Sequence, residues 1–194
     1  MYKIVTTFGL VVGKRGLGEA NTQVTVLSED LGLIRASARS ARLERSKLRY
    51  GLEPLTRGRF SLVRGRHEWK LVGSSDLRLD CFPAHSSLIR TRAGKIAKLL
   101  VRLMPGEEPV PDLYKVVVEG LQALARSGEE SLAESIECML VLRILSSLGY
   151  LPQTEALAPF IEADFFSLEL ASEVAASRKM LVRTINESLK ATGL

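Results

Sequence analysis

The sequence predicts an α+β chain, a small five-stranded barrel followed by an α-helical part. Three observations carry this. Residues 1–80 are rich in Val, Thr, Leu and Gly and run in short alternating segments cut by turn signals. After Asp80, apolar residues recur every three or four positions. Charge divides at the same point: residues 1–80 hold 15 basic and 8 acidic side chains, residues 81–194 hold 12 and 14, so a +7 segment adjoins a −2 segment. Cys81-Phe82-Pro83 reads as the linker, which sets the domains at 1–80 and 81–194.

The elements follow in order. Ile4–Val12 is the first strand, and the Gly-rich stretch Gly13–Gly18 reads as a hairpin turn. Thr22–Leu27 alternates Thr22, Val24 and Val26 on one face with Gln23 and Thr25 on the other. Ser28–Gly32 supplies Asp and Gly for a tight turn, and Leu33–Ala38 returns as the third strand. Arg39–Arg49 is too basic for a core strand and reads as an exposed loop or short helix. Gly58–Val63 and Glu68–Val72 complete five strands with no helical spacer, the pattern of a closed or partly closed barrel. In the second part, Ile89, Ala93, Ile96, Leu100 and Leu103 mark one helix, ended by Pro105–Pro111. Pro111-Asp112 suits the first turn of the next, whose stripe is Tyr114, Val117, Val118, Leu121 and Ala125 and whose stop is Gly128. Leu132–Leu148 is apolar all round at Cys138–Leu142, the pattern of a bundle centre, with Gly149 at its C-terminal cap. A last helix spans about Ser167 to Lys190, carrying Val174, Leu181, Ile185 and Leu189.

Composition narrows the function. At 194 residues, 46% apolar and 25% charged, the chain has the mix of a globular protein. Charges interrupt every apolar stretch before the roughly 18 residues needed to span a bilayer. Met1–Gly9 is mixed and alternating, unlike a secretion signal. Two cysteines, Cys81 and Cys138, make neither a disulfide framework nor a cysteine metal cluster, and a reduced cytoplasmic compartment is expected. His67 and His85 lack the partners of a triad or metal site. Gly13–Gly18 lacks the Gly-Lys-Ser/Thr ending of a phosphate loop. No catalytic residue, metal or cofactor is expected, and Cys138 is expected to be a small core residue.

The basic segment is the informative one. Ten basic residues lie within 35–66 against Glu44 and Glu53. Arg35, Arg39, Arg42, Arg45, Lys47 and Arg49 are followed by Arg57, Arg59, Arg64 and Arg66. Charges so close repel unless a polyanion neutralises them, and the guanidinium fork matches phosphate oxygens. Tyr50, Phe60 and Trp69 are interleaved with them. Aromatic faces stack on unpaired bases, so Trp69 joins the candidate interface, whereas Phe60 alternates with Leu62 as a core residue would. At the tip of that hairpin turn, Lys14 and Arg15 could still touch a phosphate backbone. Arg92, Lys95, Lys98 and Arg102 form a second basic ridge, which equally fits the polar face of an amphipathic helix. Arg143 is the only charge between Cys138 and Tyr150; it pairs with a glutamate of a neighbouring helix or anchors an acidic partner peptide.

Glu19–Ser28, Gly32–Arg39, Leu52-Glu53-Pro54-Leu55 and Arg64-Gly65-Arg66 resemble the N-terminal signature of the bacterial recombination mediator family RecO. Leu99–Glu107 and Leu145–Tyr150 are similar to its second part. The resemblance implies an N-terminal OB-fold and a helical domain. It also implies binding to single- and double-stranded DNA, annealing of complementary strands and contact with the acidic tail of single-stranded DNA-binding protein. With RecR, such proteins help load RecA during repair, in the cytoplasm at the nucleoid. Many members carry a four-cysteine zinc module after the Gly-Tyr segment. Leu151–Asp164 has no cysteine, so the expectation is a short form lacking that module. The rival reading is an adaptor whose basic face meets an acidic protein rather than DNA.

Overall fold

Alternation in the first part becomes five strands in the computed structural model, which describes residues 3–43, 46, 48, 50–66, 68–104, 106–152, 154–162 and 168–193. Strands β1 (Ile4–Leu17), β2 (Asn21–Ser28), β3 (Gly32–Ala38), β4 (Arg57–Arg64) and β5 (Trp69–Arg78) close into a barrel in the order β1-β2-β3-β5-β4. Neighbours are antiparallel except β3 and β5, which run parallel. This is the five-stranded OB-type barrel that the sequence leads one to expect. Its interior is filled by the alternating residues: Val24 and Val26 face inward opposite Ala36 and Ile34, with Phe60, Leu62 and Leu71 completing the core.

Two strands outrun their expected length. The Gly13–Gly18 stretch is not a turn. β1 continues through it to Leu17, and the turn falls at Gly18–Ala20. The reason is tertiary, because Asn21–Thr25 of β2 offers this stretch a complete ladder partner. A bulge between Val11 and Gly13 lets β1 change direction on the way. β5 likewise runs past Val72 to Arg78, paired with Arg57–Ser61.

The chain divides into two compact units, residues 1–82 with 97–109, and residues 83–96 with 110–194. In the first, residues 106–108 return to the β2–β3 turn. The Leu33 amide donates to the Gly106 carbonyl at 2.7 Å. Gly32 has φ +73°, and a side chain there would also collide with the Glu108 main chain.

Helix α1 (Ser87–Leu103) carries the expected stripe of Ile89, Ala93, Ile96, Leu100 and Leu103, all buried. In the second unit α2 (Leu113–Arg126), α4 (Ala158–Glu162) and α5 (Leu168–Ala191) pack on α3 (Glu130–Ser147). α3 is buried on nearly all sides, as its unbroken apolar run implies. Pro111 and Asp112 lie just outside α2 rather than in its first turn, and Asp112 makes no side-chain cap. At the end of α3, Gly149 (φ +74°) lets the amides of Gly149 and Tyr150 return to the carbonyls of Ser146 and Leu145. The short α4 carries no periodic signal and is not anticipated by the sequence. Ser167, expected to open the last helix, lies outside the described residues, as does Pro105. Among the described residues no helix is long and apolar enough to cross a membrane.

An ion-pair cluster ties α1 to α3 and α5. The Arg92 guanidinium donates to Glu130, Glu134 and Glu137, and Arg178 of α5 pairs with Glu134 at 2.5 Å. The hydrogen bond from Arg92 holds the Glu134 carboxyl below its ordinary pKa against the opposing effect of desolvation, with Arg178 adding to the depression. A carboxylate with a depressed folded pKa stabilises fully above its unfolded value, about 4.3, and loses that contribution as pH falls through the folded one. Arg92→Met is therefore expected to lower the unfolding free energy at pH 7 and to flatten the acid limb of the stability curve. Denaturant melts from pH 7 to pH 3 check this; an unchanged acid limb would count against the cluster. Gly32→Ala is expected to destabilise by more than 1 kcal/mol, read from the same melts.

Candidate nucleic-acid interface

The barrel determines which cations face solvent. Ile34 and Ala36 point inward, so Arg35 points outward from β3 and is exposed. Register carries this face across three strands. Arg35 lies opposite Thr25, while Ser37 and Arg15 both lie opposite Gln23. Arg15 and Ser37 are thus two strand spacings apart, about 10 Å. The parallel pairing of Ser37 with Lys70 brings the start of β5 beside the end of β3. Ser37 also donates to the Glu68 carboxylate at 3.0 Å.

Arg39 and Arg42 follow β3 in a segment tied to the β1–β2 turn. The Ser40 amide donates to Asn21 Oδ1 at 3.0 Å, the Arg42 amide to the Ala20 carbonyl at 3.0 Å, and Arg42 Nη1 to the Gly18 carbonyl at 3.0 Å. The Arg39 side chain is exposed, and so is that of Arg66 between β4 and β5. Arg35, Arg39 and Arg66 have no ion pair among the described residues. Arg45, Lys47, Arg49, His67 and the Tyr50 side chain lie outside the described residues.

The later cations of the cluster have partners within the protein. Arg57 makes a two-pronged pair with Asp80, Arg59 sits 3.4 Å from Asp76, and Arg64 pairs with Glu107. The expected mutual repulsion is relieved here by carboxylates outside the 35–66 window. Trp69 is not an open stacking platform. It is 8% exposed, belongs to the barrel core, and has the Arg64 guanidinium 5.0 Å from its ring centroid. Phe60 is fully buried, as its alternation with Leu62 indicates. Among the described residues of the barrel, the aromatic at the outer surface is Phe8, 39% exposed and covered by Arg59 at 4.7 Å. Its outward phase within the Ile4–Val12 alternation was the available signal.

The helical candidates separate. Arg92 leaves the basic ridge because three glutamates surround it; Lys95, Lys98 and Arg102 remain exposed on α1. Arg143 is 4% exposed, and its Nε donates to the Phe160 carbonyl at 2.9 Å, an internal contact between α3 and α4. Three of the cations singled out in the sequence lie at one end of the barrel. Lys14, Arg15 and Arg42 line a pocket of about 640 Å³ with Gly16, Thr22, Ala41, Leu52 and Glu53. Lys14 Nζ meets Glu53 Oε1 at 2.7 Å. Among the described residues no group of three His, Cys, Asp or Glu side chains is placed to hold a metal ion.

Comparison with known proteins finds two family models. Residues 1–76 match "Recombination protein O N terminal" and residues 91–158 match "Recombination protein O C terminal". The chain is 32% identical over 155 residues to "DNA repair protein RecO" of Pelotomaculum thermopropionicum, covering 79% of this chain and 58% of that one. It is 30% identical over 146 residues to the RecO of Heliobacterium modesticaldum, covering 74% and 51%. The RecO of a Synechococcus strain gives 30% over 149 residues, covering 72% and 52%. The chain thus spans little more than half the length of these relatives.

Both thiols are buried, Cys81 in the first unit and Cys138 in α3. Burial, the largest influence, pushes the Cys138 pKa up to about 11. Roughly 0.1% of it is then thiolate at pH 8. Neither cysteine is expected to react with a thiol-alkylating reagent at pH 8 faster than the protein opens. Mass spectrometry of timed alkylation, with and without denaturant, checks this.

Proposed function

This chain belongs to the RecO family of DNA repair proteins, and from that premise we propose that it is a non-enzymatic recombination mediator. It binds single- and double-stranded DNA, anneals complementary strands, and with RecR assists RecA loading. In this reading the barrel within residues 1–80 is the nucleic-acid-binding part, and the helices within residues 81–194 dock protein partners. Those partners are RecR and the acidic tail of single-stranded DNA-binding protein, with RecA engaged indirectly, in the cytoplasm at the nucleoid.

One observation carries the reading. Of the described cations in the 35–66 cluster, Arg57, Arg59 and Arg64 pair with internal carboxylates, whereas Arg35, Arg39 and Arg66 stand exposed without them. An arginine held on a rigid strand without an acid partner is ready to exchange its counterions for phosphate oxygens. The proposed path runs over the outer face of β1–β3 past Arg35 and Arg39. It continues to Arg42 on one side and to Arg66 on the other, and Arg45, Lys47 and Arg49, which follow Arg42 in sequence, are further candidates. Lys95, Lys98 and Arg102 supply further charge. Annealing needs no bond making: it needs the repulsion between two phosphate backbones screened while bases search for their partners, and a row of arginines does that.

Arg35→Ala with Arg39→Ala is expected to weaken binding to a single-stranded oligonucleotide and to reduce the slope of log affinity against log salt by about 1.4, or 0.7 per phosphate contact. A fluorescence-anisotropy titration across salt measures both, with a thermal melt to confirm folding. An unchanged slope would remove these two arginines from the interface.

A further inference from the structure

We propose that the mouth of the barrel is a phosphate seat for single-stranded nucleic acid, occupied in the unbound protein by the carboxylate of Glu53. The inference rests on the nucleic-acid reading above and adds a site and its regulation.

Lys14 lies opposite Val24 in the β1–β2 ladder, and Val24 faces the barrel interior. Lys14 therefore projects toward the barrel axis at the end of the barrel, not toward the outer face. Glycines at positions 13 and 16 flank the Lys14-Arg15 pair, so neighbouring side chains of β1 do not crowd these two cations. Gly16 has a second consequence. A methyl group on it would lie 3.3 Å from Arg42 Nη1, so the missing side chain leaves the Arg42 guanidinium room to lie close over this end of β1. The bond from Arg42 Nη1 to the Gly18 carbonyl uses one of five donors and fixes the fork in place.

Two cations, Lys14 and Arg42, therefore meet at one open pocket with a single carboxylate in its lining, while Arg15 borders it from the outward-facing side of β1. Glu53 meets Lys14 at 2.7 Å, the distance at which a phosphate oxygen would sit. It is held less firmly than Lys14: its side chain is 56% exposed against 30% for Lys14, and it follows the single-turn helix Tyr50–Leu52 on a surface segment. An incoming phosphodiester brings its own negative charge to Lys14 and Arg42, and Glu53 can swing into solvent without unfolding any strand. Exchange of one anion for another keeps Lys14 neutralised in both states. It also sets a threshold, because nucleic acid must outcompete a tethered carboxylate.

The test is a cycle of Glu53→Gln, Lys14→Ala and the double variant, titrated with single-stranded oligothymidylate at low and moderate salt. Glu53→Gln is expected to tighten binding about two- to five-fold, the worth of an exposed ion pair. Lys14→Ala is expected to weaken it, and in the Lys14→Ala background the gain from Glu53→Gln is expected to vanish. Thermal melts confirm that each variant is folded, with Lys14→Gln as the alternative should the alanine variant melt early. If Glu53→Gln tightens binding equally with and without Lys14, the effect is only the loss of a negative charge and the seat is refuted. If the wild-type protein binds oligothymidylate while Glu53→Gln and Lys14→Ala leave affinity unchanged, the seat again fails and the nucleic-acid reading stands. If the wild-type protein does not bind at all, the nucleic-acid reading itself fails.

Discussion

Closure of the barrel by one strand is the constraint on which the rest of the first unit depends. β1 pairs with β4 over Ile4–Leu10 and with β2 over Gly9–Leu17. A straight ribbon cannot serve two neighbours that diverge around a cylinder, so the strand bends at the bulge between Val11 and Gly13. Inward and outward sides are fixed by that closure. Val24, Val26, Ile34, Ala36 and Phe60 meet inside, and Arg15, Thr25 and Arg35 are left outside. The same bend carries Lys14 to the end of the barrel, where the segment after β3 can meet it.

Electrostatics then sorts the cations by distance in space rather than along the chain. Carboxylates that neutralise Arg57, Arg59 and Arg64 come from positions 80, 76 and 107. Arg92 is surrounded by three glutamates spaced along one side of α3, where residues three and four apart share a face. What remains exposed after this pairing is a smaller and more selective set than the local charge density implies.

Much of the barrel was legible because alternation is a local signal. Thr22-Val24-Val26, Ile34-Ala36 and Phe60-Leu62 each announce an inward face without reference to any partner. The helical stripes of α1 and α3 are legible for the same reason. Other features depend on a partner far along the chain and have no local signal. Gly13–Gly18 carries the residues of a turn, yet Asn21–Thr25 recruits most of it into a ladder. Trp69 sits among basic residues in sequence, yet its pairing with Ala36, which faces inward, commits its side chain to the core. For the candidate site, residue type was readable at Arg35, Arg39 and Arg42. Which arginines stay unpaired, and that Lys14 and Glu53 meet, depends on strand register and barrel closure.

The return of residues 97–109 to the first unit bears on how the chain is made. When Phe82 has left the ribosome, the five strands are present but the Leu33 amide still lacks the Gly106 carbonyl that it binds in the finished protein. The segment that completes the unit arrives only after residues 83–96, which belong to the other unit, have been synthesised. At about 5–20 residues per second, the wait from residue 82 to residue 109 is roughly 1–5 s. During that interval the nascent barrel lacks the partner of the Leu33 amide at its β2–β3 turn.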